Sequence, residues 1–457
     1  MGRDGMKRKI YEKMLEWKKL DNGHTALLIE GARRVGKSYI VEEFAKNEYQ
    51  SYVLLDFKEE GEELNPIKEI LDHSLKNLDD FFMALMIITG KKLIERNTLI
   101  VFDEVQEYPR AREAIKFLVK DGRYDYIETG SLISIRENTE NIQIPSEEIS
   151  VEMYPMDFEE FLWALGKEEL WAYIKQCFEK RKPLPEAFHR EAMVLFRKYV
   201  IVGGMPMAVD EYSKTGDFIR ADRRKREVLK LYMDDIRKHD NKSGSNVMMI
   251  FDEIPSQLAK HEKKFTVSNI KKGMRFDRMK SDLFWLSDAK LVNIAWKANE
   301  PNIGFRLTRE GNSFKCYLAD TGLLISFVFD ESTEISSQLY KSLMFGTLTF
   351  NSGMIVENVI AQMLVATGRK NYYFSKFSPE NAEDRMEIDF LISNSVTSRH
   401  NVHPIEVKSG KGYSYSSLKK FVERYKDYSA EPFILHEGQL TVKEGITLLP
   451  LYMTPLL

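Results

Sequence analysis

Thr25-Ala-Leu-Leu-Ile-Glu-Gly31-Ala32-Arg33-Arg34-Val35-Gly36-Lys37-Ser38-Tyr39 sets an aliphatic run against a glycine-flanked basic turn, and an amphipathic stretch follows. The fixed positions Gly31, Gly36, Lys37 and Ser38 reproduce the pattern G-x-x-x-x-G-K-[ST] between a buried strand and a helix. Glycines at both ends let the backbone curl so that successive N–H groups face phosphate oxygens, and the following helix adds the positive end of its dipole. Residues Gly31 through Tyr39 are therefore predicted to cradle the phosphates of a purine nucleoside triphosphate, with ATP the expected ligand. Lys37 is expected on the β- and γ-phosphates, and the Ser38 hydroxyl on Mg2+.

Further runs extend the pattern: Tyr52-Val-Leu-Leu55, Thr98-Leu-Ile-Val-Phe102 and Tyr124-Asp-Tyr-Ile127. Near-continuous apolar strands alternating with helical segments predict a parallel sheet covered on both faces. The third run ends in Asp103-Glu104. Asp103 is the expected holder of the metal's water shell, and Glu104 the group that polarises an attacking water. The fourth is followed by Glu128-Thr-Gly-Ser131, where Thr129 or Ser131 is placed to sense a γ-phosphate; an ordinary turn reads equally well.

Beyond about residue 150 the alternation stops. Phe158–Leu165 and Lys225–Arg237 read as helices, broken by Gly203-Gly-Met-Pro206. Short helices then precede Lys290–Trp296 and Phe305-Arg-Leu307, which read as a hairpin around Asn299–Gly304, the pattern of a winged helix. A helix over Val356–Ala366 and strand-like Tyr372–Phe374, Ile388–Ile392 and His403–Val407 predict a second α/β domain. The predicted fold class is α/β: a P-loop NTPase parallel sheet (1–150), a helical lid (151–245), a winged helix (246–335) and a restriction-endonuclease-like α/β domain (336–457).

With 457 residues, 67 basic and 70 acidic, the net charge is only -3, so no global field steers the chain to nucleic acid or an anionic membrane. The two cysteines, Cys177 and Cys316, have neither disulfide-framework nor zinc-site spacing, which points to a reducing, cytoplasmic setting. The start shows no signal-peptide core, and the run Phe81–Ile88 is far short of the roughly 20 apolar residues that cross a bilayer. No membrane partner is expected.

The ordered set Gly31–Ser38, Phe102-Asp-Glu-Val-Gln106, Thr129-Gly-Ser131, Tyr154-Pro-Met-Asp-Phe158 with Glu160-Phe161, Gly203-Gly-Met-Pro206 and Asp320-Thr-Gly-Leu323 resembles bacterial and archaeal AAA-type ATPases fused to a C-terminal domain of unknown function. The resemblance spans nearly the whole chain and implies ATP and Mg2+ as cofactors. It departs at Gln143-Ile-Pro-Ser146, where the family carries Gly-Arg; the trans-acting arginine of an AAA ring, and with it oligomeric assembly, is left unassigned.

Glu387-Ile-Asp389-Phe390 followed by Glu406-Val-Lys408, with Glu357 on a preceding helix, resembles the restriction-endonuclease-like core. Strand alternation puts Glu406 and Lys408 on one face. Asp389 and Glu406 could then share Mg2+ while Lys408 orients a water; an ordinary ion-pair cluster is the competing reading. Lys271, Lys272, Arg275, Arg278 and Lys280 crowd one stretch of the winged-helix candidate, the pattern of a helix facing DNA phosphates or of a solvated face. Arg223-Arg-Lys-Arg226 reads as a wet helix start, and His261 and His403 as structural. Three functions remain open: an ATPase acting on DNA, a nucleotide-dependent switch that binds a protein partner, and an ATP-regulated nuclease.

Overall fold

The computed structural model describes residues 5–58, 64–73, 78–131, 146–260, 265, 276–301, 304–305, 307–329, 340–342, 344, 352–376, 385–393, 401–410 and 414–457. The chain forms two compact units, Met1–Tyr154 with Asp288–Lys290, and Pro155–Ser287 with Leu291–Leu457.

The first unit is built on five parallel strands: β1 (Ala26–Gly31), β2 (Ser51–Asp56), β3 (Thr98–Asp103), β4 (Asp125–Gly130) and β5 (Glu148–Met153), in the order β2-β3-β4-β1-β5. The four aliphatic runs of the sequence are β1 to β4. Their alternate residues Leu28, Val53, Ile100, Phe102 and Tyr126 meet Ala111, Ala114, Ile115 and Leu118 of the helix Pro109–Asp121 in one core. β5 escaped the sequence reading because its residues are mostly half-buried or exposed, as an edge strand's are.

That core carries a charged inclusion. Glu128 of β4 is fully buried, and Arg112 binds Glu148 through both carboxylate oxygens, at 2.7 and 3.1 Å. Burial, and then the charge of Glu148, push the Glu128 carboxyl well above the usual range, against the pull of Arg112.

The second unit begins with helices, among them Phe158–Ala164, Glu186–Val202 and Phe218–Ser243. The first starts with a capping box between Asp157 and Glu160. Three of the ordered motifs meet here. The Met156 amide donates to the Gly204 carbonyl at 2.7 Å, and the Gly204 amide to the buried Asp320 carboxylate at 2.5 Å. A Cβ at Gly204 would lie 2.1 Å from the Met156 carbonyl oxygen, and one at Gly322 2.4 Å from that of Val202. Those glycines permit backbone to touch backbone, so these motifs are a packing node. The run Arg223–Arg226 is only partly the wet face expected of it. Lys225 is buried and donates to the carbonyls of Ile201 (2.8 Å) and Gly322 (3.3 Å), while Arg226 pairs with Asp222 at 2.7 Å.

Eight strands complete this unit: β6 (Val292–Ala298), β7 (Arg309–Leu318), β8 (Asn371–Lys376), β9 (Met386–Ser393), β10 (Val402–Val407), β11 (Phe433–His436), β12 (Thr441–Lys443) and β13 (Ile446–Pro450). They form one mixed sheet in the order β12-β13-β11-β10-β9-β8-β6-β7. The hairpin read as a wing is β6–β7, and two corrections follow. Phe305 and Leu307 lie in a turn, and the second strand starts at Arg309. Nor is the hairpin free-standing, because β6 pairs in parallel with β8, Ala295 opposite Asn371 and Trp296 opposite Tyr372. Apolar residues on both strands, including Ala295, Phe314 and Cys316, are buried. His403 has the structural place expected of it, its Nδ1 3.0 Å from the Glu431 carbonyl oxygen; His261 lies outside the described residues.

Candidate functional site

The loop Gly31–Gly36 leaves the end of β1 and enters the helix Lys37–Glu48. Gly36 has φ +93°, the left-handed region where glycine carries no Cβ penalty, and Arg34 also adopts positive φ (+67°) with its side chain exposed. Gly31 answers a different need. A Cβ there would sit 2.4 Å from the Met153 carbonyl oxygen, so the residue is small because β5 passes against it. Ala32 and Val35 are buried and anchor the loop from beneath. Arg33 is half-buried, and Tyr39 projects outward, 43 % exposed. No side chain caps the helix at Gly36, and its first turn carries no acidic residue.

Lys37 is buried, and its ammonium turns back to donate to the carbonyls of Gly31 (3.1 Å) and Ala32 (3.0 Å). Desolvation lowers its pKa, with Glu104 and Asp103 opposing through their charges. These contacts hold the cation at the loop mouth, where phosphate oxygens are stronger acceptors than two carbonyls.

Opposite stands Asp103 at the end of β3. Because β4 lies between β1 and β3, the end of β4 falls between loop and acid. The Ser38 hydroxyl donates to Asp103 Oδ1 at 2.9 Å, and the Thr129 hydroxyl to the same oxygen. Thr129 Oγ1 also accepts the Glu104 amide at 3.3 Å. Burial raises the Asp103 pKa, while the hydroxyls of Thr129 and Ser38 work to lower it. Glu104 has φ +52°, an uncommon conformation for a non-glycine residue, and its carboxylate accepts from Gln106 Nε2. Ser131 is buried two residues past Thr129. Lys37, Ser38, Asp103, Glu104 and Thr129 thus converge at the carboxyl ends of the strands, where ligands of open α/β sheets bind.

Sequence reasoning missed one member of this site. Arg8, buried, donates to the carbonyls of Val35 and Tyr154, each at 2.7 Å, and so ties the loop to the end of β5. Within the basic run Lys7-Arg8-Lys9 before the first helix, nothing in the sequence singles out Arg8 as the inward-facing member.

Comparison with known proteins agrees with this geometry. Residues 23–162 match the family model described as an AAA domain. Two domains of unknown function follow, DUF8612 over residues 193–334 and DUF4143 over 352–453. No curated protein matches the chain. Among solved structures it is similar to a Walker-type ATPase of Pyrococcus abyssi at 19% identity and TM-score 0.44, covering 71% of this chain and 96% of that one. Drosophila ORC bound to DNA matches at 13% identity and TM-score 0.28, covering 75% and 96%. A STAND protein with a tetratricopeptide repeat sensor from Pyrococcus horikoshii matches at 14% identity and TM-score 0.26, covering 77% and 47%. Among the described residues no helix is long and apolar enough to cross a membrane.

The AAA domain's oxygen donors suit Mg2+. Ser38 Oγ and Asp103 Oδ1 already lie within hydrogen-bond distance, and both are hard ligands of the kind that ion takes beside substrate phosphates.

The residues of the second candidate site lie together on the eight-stranded sheet and the helix Ser352–Ala366. Asp389 Oδ2 accepts the Val407 amide at 2.9 Å, and Lys408 pairs with the buried Glu406 at 2.7 Å. Burial raises the Glu406 pKa, and Lys408 opposes it. Glu357 accepts from the Tyr317 hydroxyl at 3.2 Å. A cation that the sequence reading did not include, Lys315 of β7, is 3.0 Å from Glu387, 3.7 Å from Asp389 and 3.9 Å from Glu357. Of the basic stretch assigned to DNA, Lys271, Lys272 and Arg275 lie outside the described residues, as does the Arg278 side chain.

Proposed function

We propose that this protein binds ATP with Mg2+ and hydrolyses it in the AAA domain. The observation that carries the reading is the bonding of Ser38, on the phosphate loop, to Asp103, on the acidic strand, with Lys37 and Thr129 flanking the pair. In this site the loop amides and Lys37 bind and orient the β- and γ-phosphates, and Ser38 and Asp103 hold the metal. Bound Mg2+ supplies charge neutralisation on the transferring phosphoryl group. Glu104 takes the proton of the attacking water, its direction set by the left-handed backbone and by Gln106. Thr129 links Asp103 to the Glu104 amide and so reports on both acids.

The finer reading is that nucleotide turnover is coupled to action on DNA by the second unit, in which the hairpin first read as a wing and the restriction-endonuclease-like strands share one sheet. Its support is the basic stretch Lys271–Lys280 and the order of the motifs. Phosphate release from Mg2+-ATP, with and without duplex DNA, tests both levels. Glu104→Gln should keep ATP affinity and lose turnover by about 100-fold or more, the usual size of a general-base contribution. Parent-like turnover in that variant rejects the role of Glu104. DNA affinity that falls steeply with salt supports the DNA reading. Tight ATP binding with negligible turnover and no DNA affinity would instead identify a nucleotide-dependent protein switch.

A further inference from the structure

Strand alternation places Lys315 and Tyr317 on one face of β7 and Cys316 on the other. Although β6 and β8 separate β7 from β9 in the sheet, the Lys315 ammonium reaches Glu387 and Asp389 of β9, and Glu357 of the helix Ser352–Ala366. Its side chain is only 2 % exposed, and its ammonium also lies 5.1 Å from the Tyr373 ring centroid. Burial alone would strip the charge from such a lysine; the Tyr317 hydroxyl and the three carboxylates outweigh it and hold the pKa well above the ordinary lysine value.

Mg2+ does not fit this arrangement. The ion needs several oxygens at about 2.0–2.1 Å in near-octahedral array. Here the carboxylate oxygens of Glu387, Asp389 and Glu357 are directed at one ammonium, at 3.0, 3.7 and 3.9 Å. Asp389 spends its other oxygen on the Val407 amide, and one oxygen of Glu406, Oε2, is engaged by Lys408. A divalent ion entering the cluster would meet a buried positive charge that water cannot screen.

We propose that Lys315 is the resident cation of this acidic cluster, filling the place a divalent metal takes in restriction-endonuclease-like sites, so that the C-terminal domain neither binds Mg2+ there nor cleaves phosphodiesters. The cluster then serves to pin β7 to β9 and to the helix Ser352–Ala366. This inference is independent of the ATPase reading, since it concerns a different unit and its test contains no nucleotide.

The test uses Mn2+ as a paramagnetic probe of the full chain without nucleotide, counting bound ions by EPR. Parent and Asp389→Asn should bind the same number, while Lys315→Met should gain one further ion, and the double variant should lose it. Lys315→Met should also melt below the parent and recover part of the difference in 1 mM Mn2+, a concentration of about that order being enough to occupy a carboxylate site. The proposal is overturned if Asp389→Asn removes an ion from the parent, if folded Lys315→Met gains none, or if the parent nicks plasmid DNA in Mg2+ and Asp389→Asn does not. Should Lys315→Met fail to fold, the comparison of parent with Asp389→Asn decides alone.

Discussion

Replacing Lys37 by alanine separates what the lysine does for the nucleotide from what it does for the fold. Its ammonium has two carbonyl partners, at 3.1 and 3.0 Å, and burial opposes its charge. Deleting it removes two hydrogen bonds but also relieves a desolvated cation, so the two contributions largely cancel. The melting temperature should stay within about 4 °C of the parent, the shift a change near 1 kcal/mol produces. The sign with pH follows from the lowered pKa. Between the folded pKa and the ordinary value of 10.5 the unfolded chain binds more protons, so the parent gains stability as pH rises through that window and Lys37→Ala does not. Toward nucleotide nothing cancels. A charge-assisted hydrogen bond contributes about 1.5–3 kcal/mol, so two phosphate contacts realised in the transition state set the loss at about 3 kcal/mol or more, a slowing of about 100-fold. Phosphate release at saturating Mg2+-ATP and a thermal melt of the same preparation measure both. Hydrolysis at the parent rate refutes the placement of Lys37 on the phosphates. A collapse of the melt by about 10 °C or more refutes the balance between these two bonds and the desolvated charge.

Gly31→Ala should be far worse for stability than its single methyl suggests, because the new Cβ would stand 2.4 Å from backbone of β5. A loss of about 1–3 kcal/mol is expected from such overpacking, with weakened ATP binding by calorimetry; a neutral substitution would show that β5 does not press on the loop. Glu128→Gln should stabilise the protein, and more so at higher pH. The folded pKa of Glu128 is raised above 4.5, so its ionisation destabilises the fold fully only above that folded pKa. The melting advantage of Glu128→Gln should therefore grow from pH 5 to pH 9, and a flat or falling difference would contradict a raised pKa.

The first unit was legible because its chemistry is local. Strand, loop, lysine and helix follow one another within Ala26–Glu48, and the acid ends a run of six buried residues, Thr98–Asp103. The parallel sheet followed from the aliphatic runs, but not the role of Gly31, since closeness to Met153 is set by β5, a half-exposed strand with a weak pattern. The helix read over Lys225–Arg237 runs longer, Phe218–Ser243, and the inward turn of Lys225 was not foreseen: periodicity assigns a lysine to the wet face, and only the carbonyls of Ile201 and Gly322 make its burial tolerable. The same limit hid Lys315. Its partners belong to other elements of the unit, and nothing in Ser313-Phe-Lys-Cys-Tyr317 announces acidic company. The wing was overread because a hairpin's sequence does not say whether its outer edge is free or paired, and β6 is paired with β8.

Arg8 grips a peptide oxygen of the loop proposed to cradle the phosphates, and another just beyond β5. Thermodynamic reciprocity follows: whatever nucleotide does to the position of Val35 it does to the hold on the segment around Arg8, and tension applied to that segment acts back on affinity to the same degree. A reporter dye placed ahead of the helix Ile10–Asp21 measures that coupling: its signal changes with ATP only when the Arg8–Val35 contact moves.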